Sequence, residues 1–296
     1  MEKLIKFLIE KRILSFKFIS SLRYALKFRK WPDFKEPRTI NEKLLWLEFH
    51  TDTSQWTECS DKNLVRKYIK DKGLEDILTK QYGVYYDVDD IKFNKLPSSF
   101  VLKTNNGYGT VLLIKDKTTV NELELKEKLK QWLKEPFGYK TGEPHYTRIK
   151  PCIVIEEMLV ADPSISSSLV DYKFWCLNGK VEMCFVCTDR DIAHHSATFC
   201  AYTLPDWTRR EDWMSPKFKS EGNIPKPSKL QDMMRYAEIL STDFPLVRVD
   251  FYEVKEKVYF GEMTFTSNGG RMAYFTEEVL LEMGGRLDIS NIKHGS

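Results

Sequence analysis

The chain has 296 residues, of which 42% are hydrophobic and 30% are charged. This balance is typical of a folded globular protein and argues against a disordered chain. The longest apolar runs fall far short of the roughly 20 residues that a membrane-spanning helix needs, and the N-terminus lacks the small-residue cleavage site of a signal peptide. We therefore expect a cytoplasmic protein.

The first 30 residues are strongly basic, although the whole chain has a formal net charge of only +3. Nine lysines and arginines stand there against Glu2 and Glu10. Apolar residues recur among them at helical spacing, at Leu4, Phe7, Leu8, Ile13, Leu14, Phe18, Ile19, Leu22 and Leu26. Such a segment suits an anionic membrane surface, and it equally suits a helix that packs on its own domain with a solvated basic face. Nucleic acid is not an expected partner, because no basic stripe continues into the main body.

The next region is predicted to be helical. In "FKEPRTINEKLLWLEFH", Thr39 and Glu42 have the spacing of a capping box that opens a helix. "CSDKNLVRKYIKDKG" predicts a second helix, with Ser60 or Asp61 as its cap and Gly73 at its end.

Strands dominate from residue 98 onward. "SSFVLKTNNGYGTVLLIKD" predicts a strand, a glycine-containing turn and a strand, and residues 119–135 follow as a charged helix. Later strands are joined by the turn signals Asn178-Gly179 and Lys255-Glu256. Helices first and antiparallel hairpins afterwards indicate an α+β fold.

Cysteine and histidine give weak signals of metal binding. Cys184 and Cys187 form a C-x-x-C pattern, but they lie on a predicted strand and no second ligand pair follows. We expect all six cysteines to be buried free thiols. His194 and His195 are predicted to lie at the surface or at a substrate edge.

The segment 202–229 reads as a long polar surface loop. Its Trp207 and Trp213 are the better candidates for stacking on a sugar ring, whereas Trp46 and Trp175 are expected in the core.

Two segments bear residue types that suit phosphate and metal chemistry. In "FVLKTNNGYGT", a strand delivers Lys103 into a turn with Gly107 and Gly109, where backbone N–H groups can approach a phosphate; an ordinary hairpin turn with an incidental lysine fits as well. In "RVDFYEVKEKVYFGEMT", a hairpin would place Asp250 beside Glu262, either as oxygen ligands of Mg²⁺ or as a surface pair balanced by basic neighbours.

The ordered motifs resemble the ATP-grasp superfamily and, within it, the TupA-like ATP-grasp proteins of cell-surface polysaccharide gene clusters. The segments that carry the resemblance are "FKEPRTINEKLLWL", "DKNLVRKYI", "LPSSFVLKTNNGYG", "DYKFWCLNGK" and "VRVDFYEVKEKVYFGEMTF". The resemblance implies a fold in which two α+β subdomains grip ATP between antiparallel sheets. The implied regions are a basic helical extension (1–33), a helical region before the ATP-grasp core (34–97), a small subdomain with the Gly-rich loop (98–160) and a large subdomain with the metal site (161–290).

For the nucleotide, the resemblance implies that Lys62 and Lys103 grip the ATP phosphates. The loop expected to close over them comprises Asn105, Asn106, Gly107, Gly109 and Thr110. The expected contacts to adenine come from Glu156, Glu157 and Leu159, with Asp162 at the ribose hydroxyls.

For the reacting groups, the resemblance places Lys173 and Arg190 near the terminal phosphate and Arg248 at the developing acyl phosphate. Asp250 and Glu262 would hold Mg²⁺, with Mn²⁺ as the alternative ion. Many relatives have an asparagine two residues after that glutamate, where this chain has Thr264. Either Thr264 or Asn268 is expected to complete the metal site.

The implied activity is Mg-ATP-dependent ligation of a carboxylate to an amine through an acyl phosphate. The expected partners are ATP, a small-molecule or lipid-linked glycan bearing a uronic acid, and an amine or amino acid. The basic segment would place the enzyme peripherally at the inner membrane face. The alternatives are a phosphotransferase or glycosyltransferase of capsule or O-antigen biosynthesis, and a nucleotide-binding protein without turnover.

Overall fold

The computed structural model describes residues 7–9, 11, 13–107, 109–135, 137–191 and 196–292. The helices are α1 (Phe16–Phe28), α2 (Ile40–His50), α3 (Ser54–Ser60), α4 (Val65–Asp71), α5 (Glu122–Leu133), α6 (Phe137–Thr141), α7 (Pro144–Thr147), α8 (Leu230–Ser241) and α9 (Glu277–Arg286). The strands are β1 (Gln81–Tyr85), β2 (Phe100–Thr104), β3 (Val111–Ile114), β4 (Ile153–Glu156), β5 (Asp171–Leu177), β6 (Lys180–Asp191), β7 (Ser196–Tyr202), β8 (Leu246–Val254) and β9 (Lys257–Thr264).

These strands form two antiparallel sheets, which confirms the predicted α+β class. The smaller sheet has the order β1-β4-β2-β3 and the larger has the order β7-β6-β5-β8-β9. The β5–β6 turn at Asn178-Gly179 and the β8–β9 turn at Lys255-Glu256 both have positive φ at their two central residues. Positive φ at both positions matches the right-handed twist of the flanking strands, so both predicted hairpins form.

Each sheet has its own hydrophobic cluster. In the smaller sheet, Leu102 and Ile155 pack in one cluster with Leu129 of α5. In the larger sheet, Phe174 and Val249 belong to a second cluster, which also takes in α8 and the N-terminal helices. Each sheet is therefore stabilised by its own cluster of buried apolar side chains.

The helix caps position the segment that bears Lys62. The predicted capping box forms, because Thr39 Oγ1 accepts from Glu42 N at 3.2 Å and Thr39 N donates to Glu42 Oε2 at 2.9 Å. Asp61 makes the hydrogen bonds of the predicted cap: its Oδ1 accepts from Asn63 N at 2.8 Å and from Leu64 N at 3.2 Å, in the turn that leads into α4. Lys62 consequently lies in a turn rather than in a helix.

Helix α1 is the part of the basic extension that the structure describes most fully. It buries Ile19 and Tyr24, and Ser20 Oγ donates to Gly142 O at 2.8 Å. This helix therefore packs on the domain through one face. Across the described ranges, every helix is too short or too polar to cross a bilayer.

The region after β7 is a long loop at the surface, as predicted, but Trp207 within it differs from its predicted role. Trp207 is buried, stacks on Tyr202 with ring centroids 4.3 Å apart, and donates from Nε1 to Ile224 O at 2.9 Å. Its role is to close the loop onto the core, so it does not offer a face to a sugar. Trp213 is half-buried beneath the guanidinium of Arg210. All six cysteines are buried and free, as predicted, while His194 and His195 lie outside the described residues.

Candidate nucleotide and metal site

A cleft is lined by residues from both sheets. Lys103 of β2 and Glu156 of β4 face it from the smaller sheet, and Gly261 and Glu262 of β9 face it from the larger sheet. Lys62 reaches the same cleft from the turn after α3. The structure thus brings together the two predicted phosphate-binding lysines and one predicted metal ligand.

Lys62 is tied to the Gly-rich loop. Its Nζ donates to Gly107 O at 2.8 Å, and its backbone N donates to Asn105 O at 3.3 Å. Burial lowers the pKa of Lys62, nearby Glu262 opposes this, and the positive charge of Lys103 lowers the pKa further. Two ammonium groups that lie near each other and have little contact with water favour an anionic ligand such as phosphate.

Glu156 binds two cations at the cleft wall. Its Oε2 lies 2.5 Å from Lys103 Nζ and its Oε1 lies 3.3 Å from Arg66 Nη1. Arg66 of α4 also donates from Nη2 to Thr79 O at 2.7 Å. Sequence reasoning missed Arg66, because "DKNLVRKYI" marks it only as one of several polar positions on a helix.

The Gly-rich loop is anchored by Asn105. The Nδ2 of Asn105 donates to Asp61 Oδ2 at 2.8 Å and to Lys150 O at 3.0 Å, while its Oδ1 accepts from Cys152 N at 2.8 Å. This buried side chain fixes the base of the loop and does not project into the cleft. Asn106 is buried as well, and the Thr110 hydroxyl is hydrogen-bonded to the Thr104 hydroxyl.

Gly109 has a φ of +82°, and an added Cβ would meet no atom of the other described residues within 4 Å. Glycine is therefore favoured at position 109 because of its positive φ, and not because a side chain would clash there.

The remaining predicted adenine and ribose contacts lie outside the lining of this cleft. Glu157 Oε1 accepts from Lys80 N at 2.7 Å. Exposed Asp162 accepts from Ser164 N at 2.9 Å and from its hydroxyl at 2.7 Å. Leu159 is half-buried in the same segment.

The larger sheet places Asp250 between two predicted functional residues. Its register sets Asp250 of β8 opposite Glu262 of β9 on one side and opposite Lys173 of β5 on the other. Arg248 binds Asp250 through both carboxylate oxygens, each at 2.7 Å, and its Nη2 lies 2.9 Å from Glu262 Oε1. Lys173 Nζ also contacts Asp250 Oδ2.

Asp171 of β5 connects this group of charges to the neighbouring strand β6. Its Oδ2 lies 2.6 Å from Lys173 Nζ and 2.7 Å from Arg190 Nη2. The result is a row in which positive and negative side chains alternate: Arg190, Asp171, Lys173, Asp250, Arg248 and Glu262. We call these six residues the charged row. Sequence reasoning missed Asp171, although its position two residues before Lys173 puts both on one face of the strand.

The charged row favours the ionised forms of Glu262 and Lys173. Burial alone would raise the pKa of Glu262, but the positive charges of Arg248, Lys173, Lys62 and Arg190 outweigh it and hold this pKa at about 2. Burial would likewise lower the pKa of Lys173, but its carboxylate neighbours Asp171 and Asp250 raise it. Glu262 is therefore anionic and Lys173 cationic at neutral pH.

Glu262 and Thr264 suit a magnesium ion, and Asp250 would join them on releasing an oxygen from Arg248 or Lys173. Mg²⁺ usually takes only one or two protein carboxylates and completes its octahedron with water and phosphate oxygens. Adjacent Asp250 and Glu262 supply such a pair, and Thr264 Oγ1 lies 3.2 Å from Glu262 Oε1. Exposed Asn268 instead donates from Nδ2 to Arg271 O at 2.8 Å and does not join this group. Among the described residues, no three His, Cys, Asp or Glu side chains come together as a denser metal cluster.

Structural comparison finds solved ligases that are similar to this chain. D-alanine–D-alanine ligase from Bacillus anthracis, complexed with ATP, is 15% identical over 80% of this chain and 64% of that chain, with a TM-score of 0.48. L-amino acid ligase from Bacillus licheniformis is 13% identical over 79% and 50% of the two chains, with a TM-score of 0.48. D-alanine–D-alanine ligase from Helicobacter pylori is 16% identical over 84% and 69%, with a TM-score of 0.43. This chain thus spans between 50% and 69% of the lengths of these ligases.

Comparison with curated proteins finds no match. A sequence model of the family described as TupA-like ATPgrasp matches residues 42–287, which is most of the chain. The chain therefore belongs to the TupA-like ATP-grasp family, as its motifs predicted.

Proposed function

We propose that the chain is an ATP-dependent carboxylate–amine ligase. The observation that carries this proposal is the convergence of Lys62, Lys103 and Glu262 on one cleft between the two sheets. Two cations and an ionised carboxylate suit a nucleotide whose phosphates bind the lysines and whose bound metal binds the carboxylate. Membership of an ATP-grasp family supports ATP as that nucleotide.

The chemistry begins with a carboxylate, which is a poor electrophile because its charge repels nucleophiles. One of its oxygens attacks the γ-phosphorus of ATP, the bond to the β,γ-bridging oxygen breaks, and ADP leaves. The acyl phosphate that forms is then attacked at carbon by an amine, which loses a proton as inorganic phosphate departs. The products are an amide, ADP and phosphate.

The side chains of the site would serve this chemistry through position and charge. Lys62 and Lys103 would hold the phosphates, and Arg248 would face the acyl phosphate. Asp250 and Glu262, with Thr264, would hold the metal, which when bound neutralises charge on the phosphate oxygens.

We further propose a uronic acid of a cell-surface glycan as the carboxylate, and an amino acid or another amine as its acceptor. The support for this choice is the family itself, since TupA-like proteins belong to polysaccharide gene clusters. A lipid-linked glycan would bring the reaction to the cytoplasmic membrane face.

The exposed face of α1 supports such a membrane location. Opposite the buried face of this helix, Phe18 is 44% exposed and Leu26 is 74% exposed, and the nearby Trp31 is 56% exposed. Lys27, Arg29 and Lys30 are exposed beside them. Apolar side chains rimmed by cations are the pattern that binds anionic lipid surfaces.

The test of the ligase is ADP and phosphate release from Mg-ATP with a panel of uronic acids, with and without amino acids. We expect release that needs both a carboxylate and an amine, and its loss in Lys103→Ala. Lys128→Ala, at a lysine of α5 outside the cleft, is the matched control and should keep full activity. ATP binding without turnover for any pair of substrates would contradict the ligase and favour a protein that only binds nucleotide.

A further inference from the structure

We infer that Asp171 is a positioning residue that holds Lys173 and Arg190 against the terminal phosphate of bound ATP. This inference rests on the proposed function, because that function assigns the two cations to the nucleotide. It adds a residue for which neither the motifs nor the family match supplies a role.

One oxygen of Asp171 joins cations from two different strands. Asp171 is only 4% exposed, and its Oδ2 lies 2.6 Å from Nζ of Lys173 on β5 and 2.7 Å from Nη2 of Arg190 on β6. Arg190 is otherwise weakly held, since its side chain is 38% exposed. Its guanidinium has one further described contact, to Cys187 Sγ at 3.4 Å. The position of its guanidinium therefore depends chiefly on Asp171.

Asp171 matters most when the nucleotide is bound. In the described structure Lys173 contacts two carboxylates, those of Asp171 and Asp250. Asp250 is proposed to bind the metal, and a carboxylate that binds a metal ion offers less negative charge to a neighbouring lysine. Asp171 is then the carboxylate that keeps Lys173 in place.

The second oxygen of Asp171 is a hydrogen-bond acceptor that is not yet used. Oδ1 is buried and has no hydrogen-bond partner among the residues that the structure describes. A buried carboxylate oxygen without a donor is costly, so a small movement of either cation that supplies one is favourable. Asp171 therefore keeps a second acceptor that can hold either cation if its position changes when nucleotide binds.

The test compares nucleotides with and without the terminal phosphate. Calorimetry would measure binding of a non-hydrolysable ATP analogue and of ADP, each with Mg²⁺, to the full-length wild type and to Asp171→Asn. We expect the variant to lose about tenfold more affinity for the ATP analogue than for ADP. Asp189→Asn is the matched control, because Asp189 lies beside Arg190 but accepts from Ser167 N at 2.9 Å, and both affinities should stay unchanged.

A second variant covers the case in which Asp171→Asn does not fold. Arg190→Gln alters a side chain at the surface and should show the same selective loss, and the losses of the two single variants should not add in the double variant. Equal losses for both nucleotides would overturn the role of Asp171 and leave the ligase proposal standing. Failure of the wild type to bind either nucleotide would overturn the proposed function, and this inference with it.

Discussion

Glu48 and His145 are buried side by side, with Glu48 Oε1 3.6 Å from His145 Nδ1. Within the described part of the chain, neither side chain has a hydrogen-bond partner. Burial raises the pKa of Glu48 well above its usual range, and the nearby charge of Glu143 adds to the effect. Burial also lowers the pKa of His145 to about 3, with Arg148 contributing. Burial thus disfavours the charged form of both side chains, the carboxylate of Glu48 and the imidazolium of His145.

His145 should make the protein less stable in acid. Its pKa is lower in the folded chain than its usual value of 6.5, so below pH 6.5 the unfolded chain binds the extra proton. The free energy of unfolding should fall as the pH drops from 6.5 toward 3, by up to about 1.4 kcal/mol per pH unit from this group. Urea unfolding at several pH values should show a shallower dependence for His145→Gln than for the wild type.

The matched control is Glu48→Gln, because the pKa of Glu48 is shifted in the opposite sense. Glu48 stays protonated in the folded chain above its usual pKa of 4.5, so its contribution is complete below 4.5 and is lost as the pH rises toward its folded value. Above pH 4.5, the free energy of unfolding of this variant should depend less on pH than that of the wild type. If the free energy of unfolding of His145→Gln fell between pH 6.5 and 3 as steeply as that of the wild type, the imidazole would not be held neutral in the folded protein.

Asp250 should matter to stability far more than its partner Glu262. Asp250 is 1% exposed and binds two buried cations, Arg248 and Lys173, so Asp250→Ala leaves both without their shared carboxylate. We expect a loss of about 3–5 kcal/mol in the free energy of unfolding. The Glu262 side chain is 44% exposed, and Glu262→Ala should cost about 1 kcal/mol or less. Guanidinium unfolding measures both values, and similar losses would contradict the picture of a buried charged row.

Glu262→Gln separates metal binding from stability. The substitution keeps the shape of the side chain but removes the charge that a pKa of about 2 keeps ionised at neutral pH. We expect the Mg²⁺ concentration needed for half-maximal ATP binding to rise by at least about tenfold, with little change in unfolding. Glu253→Gln, on the same hairpin but hydrogen-bonded to Ser228, should behave as the wild type. An unchanged Mg²⁺ dependence would remove Glu262 from the metal site.

Asp250 meets Glu262 through an irregularity of the register between Asp250 and Phe251, which the sequence pattern does not show, since a regular two-residue turn at Lys255-Glu256 would pair Asp250 with Gly261. The turn itself could be predicted because its pattern is local. The capping box at Thr39 is local in the same way. The strand that carries Lys103 was likewise predicted from its pattern, and the family resemblance added the expected role of Lys103 at the ATP phosphates.

Most of the contacts that the sequence did not predict depend on distant segments. Arg66 meets Glu156 across 90 positions of the chain, and periodicity indicates only which face of α4 it occupies. Trp207 is buried because Ile224 returns to accept its indole N–H, which composition cannot show in a polar segment. Local patterns indicate a residue's face, whereas its partner is fixed by how separate elements pack.

The exposed face of α1 should bind anionic membranes. Leu26→Glu combined with Trp31→Glu removes two exposed apolar side chains and places negative charge among exposed cations, so both the apolar and the electrostatic attraction weaken. Co-sedimentation with vesicles containing phosphatidylserine should fall severalfold relative to the wild type. Leu123→Glu is the matched control, since Leu123 is 77% exposed on α5 and lies among acidic residues, and it should leave binding unchanged. Wild-type binding should also weaken as salt is raised, because exposed charges are screened within about 10 Å at 0.1 M salt. Equal sedimentation of the α1 variant and the wild type, or equal binding to vesicles of phosphatidylcholine alone, would mean that this helix serves only to pack on its own domain.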